Sequence, residues 1–185
     1  MRALAATGGL VAAGLLAACS GTPGAAAVVD DRVITTSDVQ VASDELAALG
    51  QQFDVSAVVS VLIQEPTVTA IAQEHGVGVS DADAVALLDQ VAASLGQADD
   101  DTDPGAGEAT PETFSEPTIA IARYSLASGN LQEADDADAI GDEVSERLAA
   151  LDVDVNPRFG TADENQNVTA LTSWPWIAAP EADAS

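Results

Sequence analysis

VSAVVSVLIQEPTVTAIAQEH, residues 55 to 75, admits two readings, and each leads to a different protein. Val58, Val59, Val61, Leu62 and Ile63 would score on propensity as a buried strand. The apolar run nevertheless continues past Pro66 through Val68 and Ile71 to Gly76, which is too long for one strand. A helix accommodates all of it. Pro66 lacks an N–H and its ring crowds the carbonyl of Leu62, so the helix is expected to bend or break there.

Helical signals continue on both sides. Upstream, Ser37-x-x-Gln40 has the form of a capping box, followed by Val39, Ala42, Leu46 and Leu49 on one face, with Gly50 placed to end the helix. Downstream, Ser80-x-x-Asp83 starts a helix carrying Val85, Leu88, Ala92 and Leu95, which Gly96 should stop. Ser115 and Pro117 mark another start, before Ile119, Ala122 and Leu126. A last helix is expected over 133–151, with Ala137, Ile140, Val144, Leu148 and Leu151 aligned and Glu143–Arg147 as an i,i+4 pair outside them. Between the third and fourth helices, residues 97–113 hold Asp99, Asp100, Asp101, Asp103, Glu108 and Glu112 without a base, and read as a solvated, disordered acidic loop.

Strand signals are short. Residues 27–34 read as a short strand or hairpin, with Val28-Val29, a turn at Asp30-Asp31 and then Val33-Ile34, and Val153-Asp154-Val155 alternates before Asn156-Pro157. Trp174-Pro175-Trp176-Ile177 is an apolar cluster, expected to close a patch on the helical core rather than to serve as a binding platform.

The N-terminus reads as a leader. Arg2 is followed by an apolar, Gly-interrupted run to Ala18, too short for a comfortable membrane span of roughly 20 residues. Leu16-Ala17-Ala18-Cys19 has the form of a bacterial lipobox, with Cys19 as the lipidation site. Its alternative is an ordinary signal peptide in which the cysteine falls there by chance. With one cysteine in the chain, no intramolecular disulfide is available. The expected organisation is therefore a lipoprotein signal peptide over 1–18 and a flexible tether over 19–26. A helical domain follows over 27–177, containing the acidic loop 97–113, and then a tail over 178–185.

Charge narrows the partners. The chain carries 5 Lys+Arg against 31 Asp+Glu, a net −26, and every one of the five is arginine. Removing Arg2 with the leader leaves a net −27. Such a surface repels phosphate backbones, so nucleic acid is excluded as a partner, and it is repelled by anionic membranes, so a lipid must do any anchoring. Hydrophobic residues are 47% but aromatics only 3%, which favours closely packed helices around small side chains. About 130 residues are left to fold, enough to bury about two thirds of their surface.

The lipobox, the strand Val28-Val29-Asp30-Asp31-Arg32-Val33-Ile34-Thr35 and the capped helix from Ser37 come in a particular order. A helix pair around Glu74-His75-Gly76-Val77-Gly78-Val79-Ser80 follows, and then Val155-Asn156-Pro157-Arg158-Phe159-Gly160. Together they resemble the SurA N-terminal-type domain of actinobacterial lipoproteins, related to the peptide-binding part of the SurA and PrsA foldases and of trigger factor. The resemblance covers roughly residues 27–160 and rests on the hydrophobic framework. It implies a mainly α fold, a small domain of about five helices with a short β-hairpin or strand pair, similar to the SurA N-terminal and trigger factor C-terminal domains. It also implies an apolar cradle for unfolded chains, and pairing between the strands near 28–34 and 153–155. The parvulin domain of those foldases has no counterpart here. Its site needs paired histidines and this chain has only His75, so isomerase activity is not carried over.

Other constellations fail. His75 reads as a dipole-complementing residue at a helix C-terminus. One histidine and one cysteine cannot build a zinc site. Asp99-x-Asp101-x-Asp103 opens like a calcium loop, but Pro104 and Thr110 stand where glycine and glutamate belong. Asn167-Val168-Thr169 is a glycosylation sequon that bacterial export would not use.

The expected protein is a lipid-anchored lipoprotein on the extracytoplasmic face of the cell membrane. It binds unfolded or extended polypeptide in the manner of a chaperone, without catalysis, metal or cofactor. The alternative is a structural or scaffolding lipoprotein that docks a folded envelope partner. No peptide-binding residue is identifiable at this level.

Overall fold

The computed structural model describes residues 22–98 and 113–171, without the side chains of 96–98. The leader, Cys19, residues 99–112 of the acidic loop, the Trp174–Trp176 cluster and the tail lie outside them. The element order is β1 (Ala25–Val29), β2 (Arg32–Thr35), α1 (Thr36–Ala48), α2 (Val55–Glu74), α3 (Asp81–Ala98), α4 (Glu116–Gln132) and α5 (Ala137–Ala149), then β3 (Val153–Val155), β4 (Thr161–Ala162) and β5 (Val168–Thr169). The architecture is mainly helical, with five helices among the described residues and a few short antiparallel strands.

α2 is the axis of the fold. Its first half buries Val58, Val59, Leu62 and Ile63 with strand residues Ala26, Ala27, Val29 and Ile34, α1 residues Val39, Ala42 and Leu46, and α4 residues Ala120 and Ile121. Its second half buries Val68, Ile71 and Ala72 with Ala127 and Leu131 of α4 and Ile140 of α5. A third cluster joins Leu49, Ala84, Leu88 and Ala122, fastening α3 to α4. α2 is also apolar and long enough to cross a membrane, and its packing against strands and helices accounts for that composition.

Several local expectations are corrected. The tether ends before Ala25, because Ala25 and Ala26 are buried strand residues at 5% and 0% exposure. Alanine has low strand propensity, and tertiary pairing places it there: Ala25 pairs with Thr35 of β2, and Ala26 O accepts from Asn156 N–H at 2.9 Å. The capping box of α1 is Thr35 with Asp38, two residues before Ser37–Gln40. Of the bend or break expected at Pro66, the break is absent: α2 runs continuously through it. α3 passes Gly96 and reaches Ala98. α5 starts at Ala137 and not at 133, because Glu133 caps α4 by donating its N–H to Gly129 O at 3.1 Å.

Other expectations hold. Gly50 and Gly76 end α1 and α2 in the left-handed region, at φ 67° and 77°. Each helix closes with the paired bonds of a Schellman motif, Gln51 N–H to Leu46 O at 2.9 Å and Val77 N–H to Ala72 O at 2.8 Å. Ser80 and Asp83 cap each other at the start of α3. β1 and β2 form the hairpin around Asp30-Asp31, and β3 pairs antiparallel with β1, giving the sheet order β2-β1-β3.

Candidate functional site

Pro66 borders three surface depressions. One, of about 780 Å3, runs between α2 and the start of α3 past Thr69, Gln73, Val79 and Asp81. A second, of about 290 Å3, lies against the β1–β2 turn. The third, of about 320 Å3, lies between β2, the start of α1, α2 and the first turns of α4, with Val33, Ile34, Leu62, Pro117 and Ala120 among its lining residues. Where the helix passes Pro66, the chain solves a backbone problem that shapes this face.

Proline at 66 leaves Leu62 O without its helical donor. The guanidinium of Arg32, reaching over from β2, donates to Leu62 O at 3.0 Å and more weakly to Ile63 O at 3.4 Å. Burial lowers the Arg32 pKa, an effect that the nearby Glu65 carboxylate opposes. Arg32 therefore replaces the missing N–H and keeps the helix continuous.

Beside it, Glu65 is buried at 7% exposure inside an apolar helix and needs a partner. Arg123 of α4 donates Nε–H to it at 2.7 Å and also contacts Asp81 of α3 and, at 3.4 Å, Glu116. Burial works against the Arg123 charge, but hydrogen bonds to Glu65 and Asp81 outweigh it and raise its pKa. One arginine thus ties α2, α3 and α4 together under the floor of the groove.

The strand wall of the groove is an open edge. Just past β1, Asp30 N–H bonds Asp152 O at 2.8 Å, and within it Ala26 O accepts from Asn156 N–H at 2.9 Å, so even-numbered residues face β3. Antiparallel ladders alternate, so Val29 and Ala27 face β2, where they pair with Arg32 and Ile34. Thr36 N–H also turns inwards, to Gly24 O at 2.8 Å. By that alternation Val33 directs its N–H and C=O away from the sheet, and the residue is 42% exposed. Thr35 N–H, also outward, is already taken by Asp38 at 2.9 Å. Val33 thus presents a donor and an acceptor beside a partly apolar groove.

A separate apolar pocket of about 190 Å3 lies among α2, α4 and α5, lined by Val68, Tyr124, Leu131, Ile140, Val144 and Leu148. It has room for one large side chain, not for a chain segment.

The residues singled out in the sequence fall elsewhere. His75 caps α2 and its Nε2 lies 3.0 Å from Glu143 Oε2, in a surface cluster where Arg147 bridges Glu143 and Glu74. The Glu143–Arg147 pair is present as expected, at 2.6 Å, and also fastens α5 to α2. Cys19 and the Asp99–Asp103 run are outside the described residues. Sequence reasoning missed Arg32, Val33, Glu65 and Arg123. One signal was available: an acid within an apolar helical run calls for a cation, and few arginines could supply it.

No protein-family model, curated protein or solved structure matches this chain.

Proposed function

We propose that this protein is a lipid-anchored, extracytoplasmic holder of extended polypeptide, which takes the backbone of a client as an added strand on β2. The observation that carries the reading is the outward N–H and C=O of Val33 beside the groove of Leu62, Pro66, Pro117 and Ala120. Exposed strand edges recognise extended chains through backbone hydrogen bonds, which are indifferent to sequence, while side-chain pockets add selectivity. Such weak, general recognition suits a chaperone-like binder. The resemblance to SurA-type peptide-binding domains points the same way. Catalysis is not part of the reading, since the one histidine is engaged with Glu143 on a surface cluster.

The soluble part, residues 20–185, should slow aggregation of an unfolded client at near-stoichiometric ratios without accelerating X-Pro isomerisation in a test peptide. Aggregation left untouched across several clients, with one folded envelope protein copurifying tightly, would replace this reading with the scaffolding one. The anchor is tested separately: Cys19→Ala should release the protein from the membrane fraction or leave uncleaved precursor.

A further inference from the structure

We infer that the clients held on β2 are basic ones: extended segments with an apolar residue opposite Val33 and lysine or arginine about two or three positions to either side. The inference rests on the strand-edge reading and names the chemistry of what that edge takes.

Charge complementarity carries it. Asp30 and Asp31 form the turn at one end of β2, and Asp38 and Glu116 stand at the groove's other end. A strand rises roughly 3.4 Å per residue, so a client centred on Val33 passes these acids about two or three residues out. The two arginines bordering the groove offset them only in part: Arg32 keeps its charge while it donates to the carbonyls of Leu62 and Ile63, and Arg123 is outnumbered by its carboxylate partners Glu65, Asp81 and Glu116. Glu116, which lines the groove 3.4 Å from Arg123, keeps 71% of its side chain in solvent, where a client cation can reach it. An acidic client would meet these carboxylates with like charge. A basic one would satisfy them while its backbone pairs with Val33.

The test is a binding titration of the full chain with three labelled peptides of equal length. They share an apolar centre and are flanked by lysine, serine or glutamate. The lysine-flanked peptide should bind about tenfold more tightly than the serine-flanked one at low salt, and the glutamate-flanked one should not bind measurably. The advantage should fade near 0.5 M salt, where the Debye length has dropped to about 4 Å.

Two variants separate the claims. Val33→Pro removes an outward N–H, at a place where a strand tolerates proline, and should abolish binding of the lysine- and serine-flanked peptides. The double variant Asp31→Lys with Glu116→Lys should reverse the charge preference, whereas attraction to the overall net −26 would keep it. If lysine and serine flanks bind alike and Val33→Pro still abolishes binding, the charge inference is overturned and the holding reading stands. If Val33→Pro folds and binds as wild type does, the strand-edge site itself is wrong. Should that variant not fold, an unchanged preference in the double variant overturns the inference alone.

Discussion

Replacing Arg32 with methionine keeps most of the aliphatic stem and removes the donors to Leu62 O and Ile63 O. A backbone carbonyl left without a partner costs about 1–2 kcal/mol, so Arg32→Met should destabilise by that amount in denaturant unfolding. Pro66→Ala restores an N–H at position 66 that can bond Leu62 O itself. In that background the Arg32→Met loss should shrink by about 1 kcal/mol, a coupling a double-mutant cycle reads directly. Additive effects would mean that Arg32 acts through something other than the proline gap. Glu74 offers a second residue-level test. Its hydrogen bond from Arg147 holds its carboxyl below the usual glutamate range. A depressed folded pKa adds stability above the unfolded value, near 4.3, which is lost as pH falls through the folded pKa. Wild type should therefore exceed Glu74→Gln in melting temperature at pH 6, and the gap should narrow as pH falls below the usual glutamate range and close once the folded carboxylate is protonated. A gap that persists in acid would show that the pair does not depend on the ionised carboxylate.

At the scale of elements, the small β4–β5 hairpin hangs on Gly160. Its φ is 130°, and an added Cβ would lie 2.1 Å from Thr169 O, a backbone atom with no freedom to give way. Gly160→Ala should accordingly cost at least about 2 kcal/mol, as strained-backbone and overpacking changes do. A melting temperature within a degree or two of wild type would contradict the close approach. This hairpin was not legible in the sequence, since strands of two residues are too short for alternation to register. It is held instead by distant bonds: Val168 N–H to Ser60 Oγ at 2.7 Å, Gln64 to Asn165 O at 3.0 Å and Gln166 to Leu148 O at 3.0 Å. The α1 start shows a subtler limit. Thr35–Asp38 and Ser37–Gln40 are both sound capping patterns, and only the pairing of β2 up to Thr35 selects the first. Conversely, helix ends with a local cause were readable, because Gly50, Gly76 and Ser80 act within a turn of themselves. Continuity through Pro66 was not, because its cause is an arginine on another element. The candidate site shares that fate: an open edge at Val33 exists only once β3 has taken the other side of β1.

For the whole molecule, a net charge of −26 on 185 residues sets self-repulsion against the packing around α2. Raising salt from about 0.01 to 0.1 M shortens the Debye length from about 30 to 10 Å and should raise the melting temperature. A fall would mean that the ion pairs of Arg123 and Arg147 outweigh the repulsion they sit in. Self-repulsion and the acids around β2 are one property seen twice: like charge works against pairing of this edge with the same edge of another copy, and on the reading proposed above it favours a chain of opposite charge. The claim at the centre of this account is that Val33 receives a client's backbone, and amide hydrogen exchange at that one residue tests it. Alone, the Val33 N–H should exchange far faster than its sheet-facing neighbours Arg32 and Ile34. With a saturating lysine-flanked extended peptide it should become protected while Arg32 and Ile34 change little. A bound peptide that leaves Val33 exchange unaltered would contradict the account.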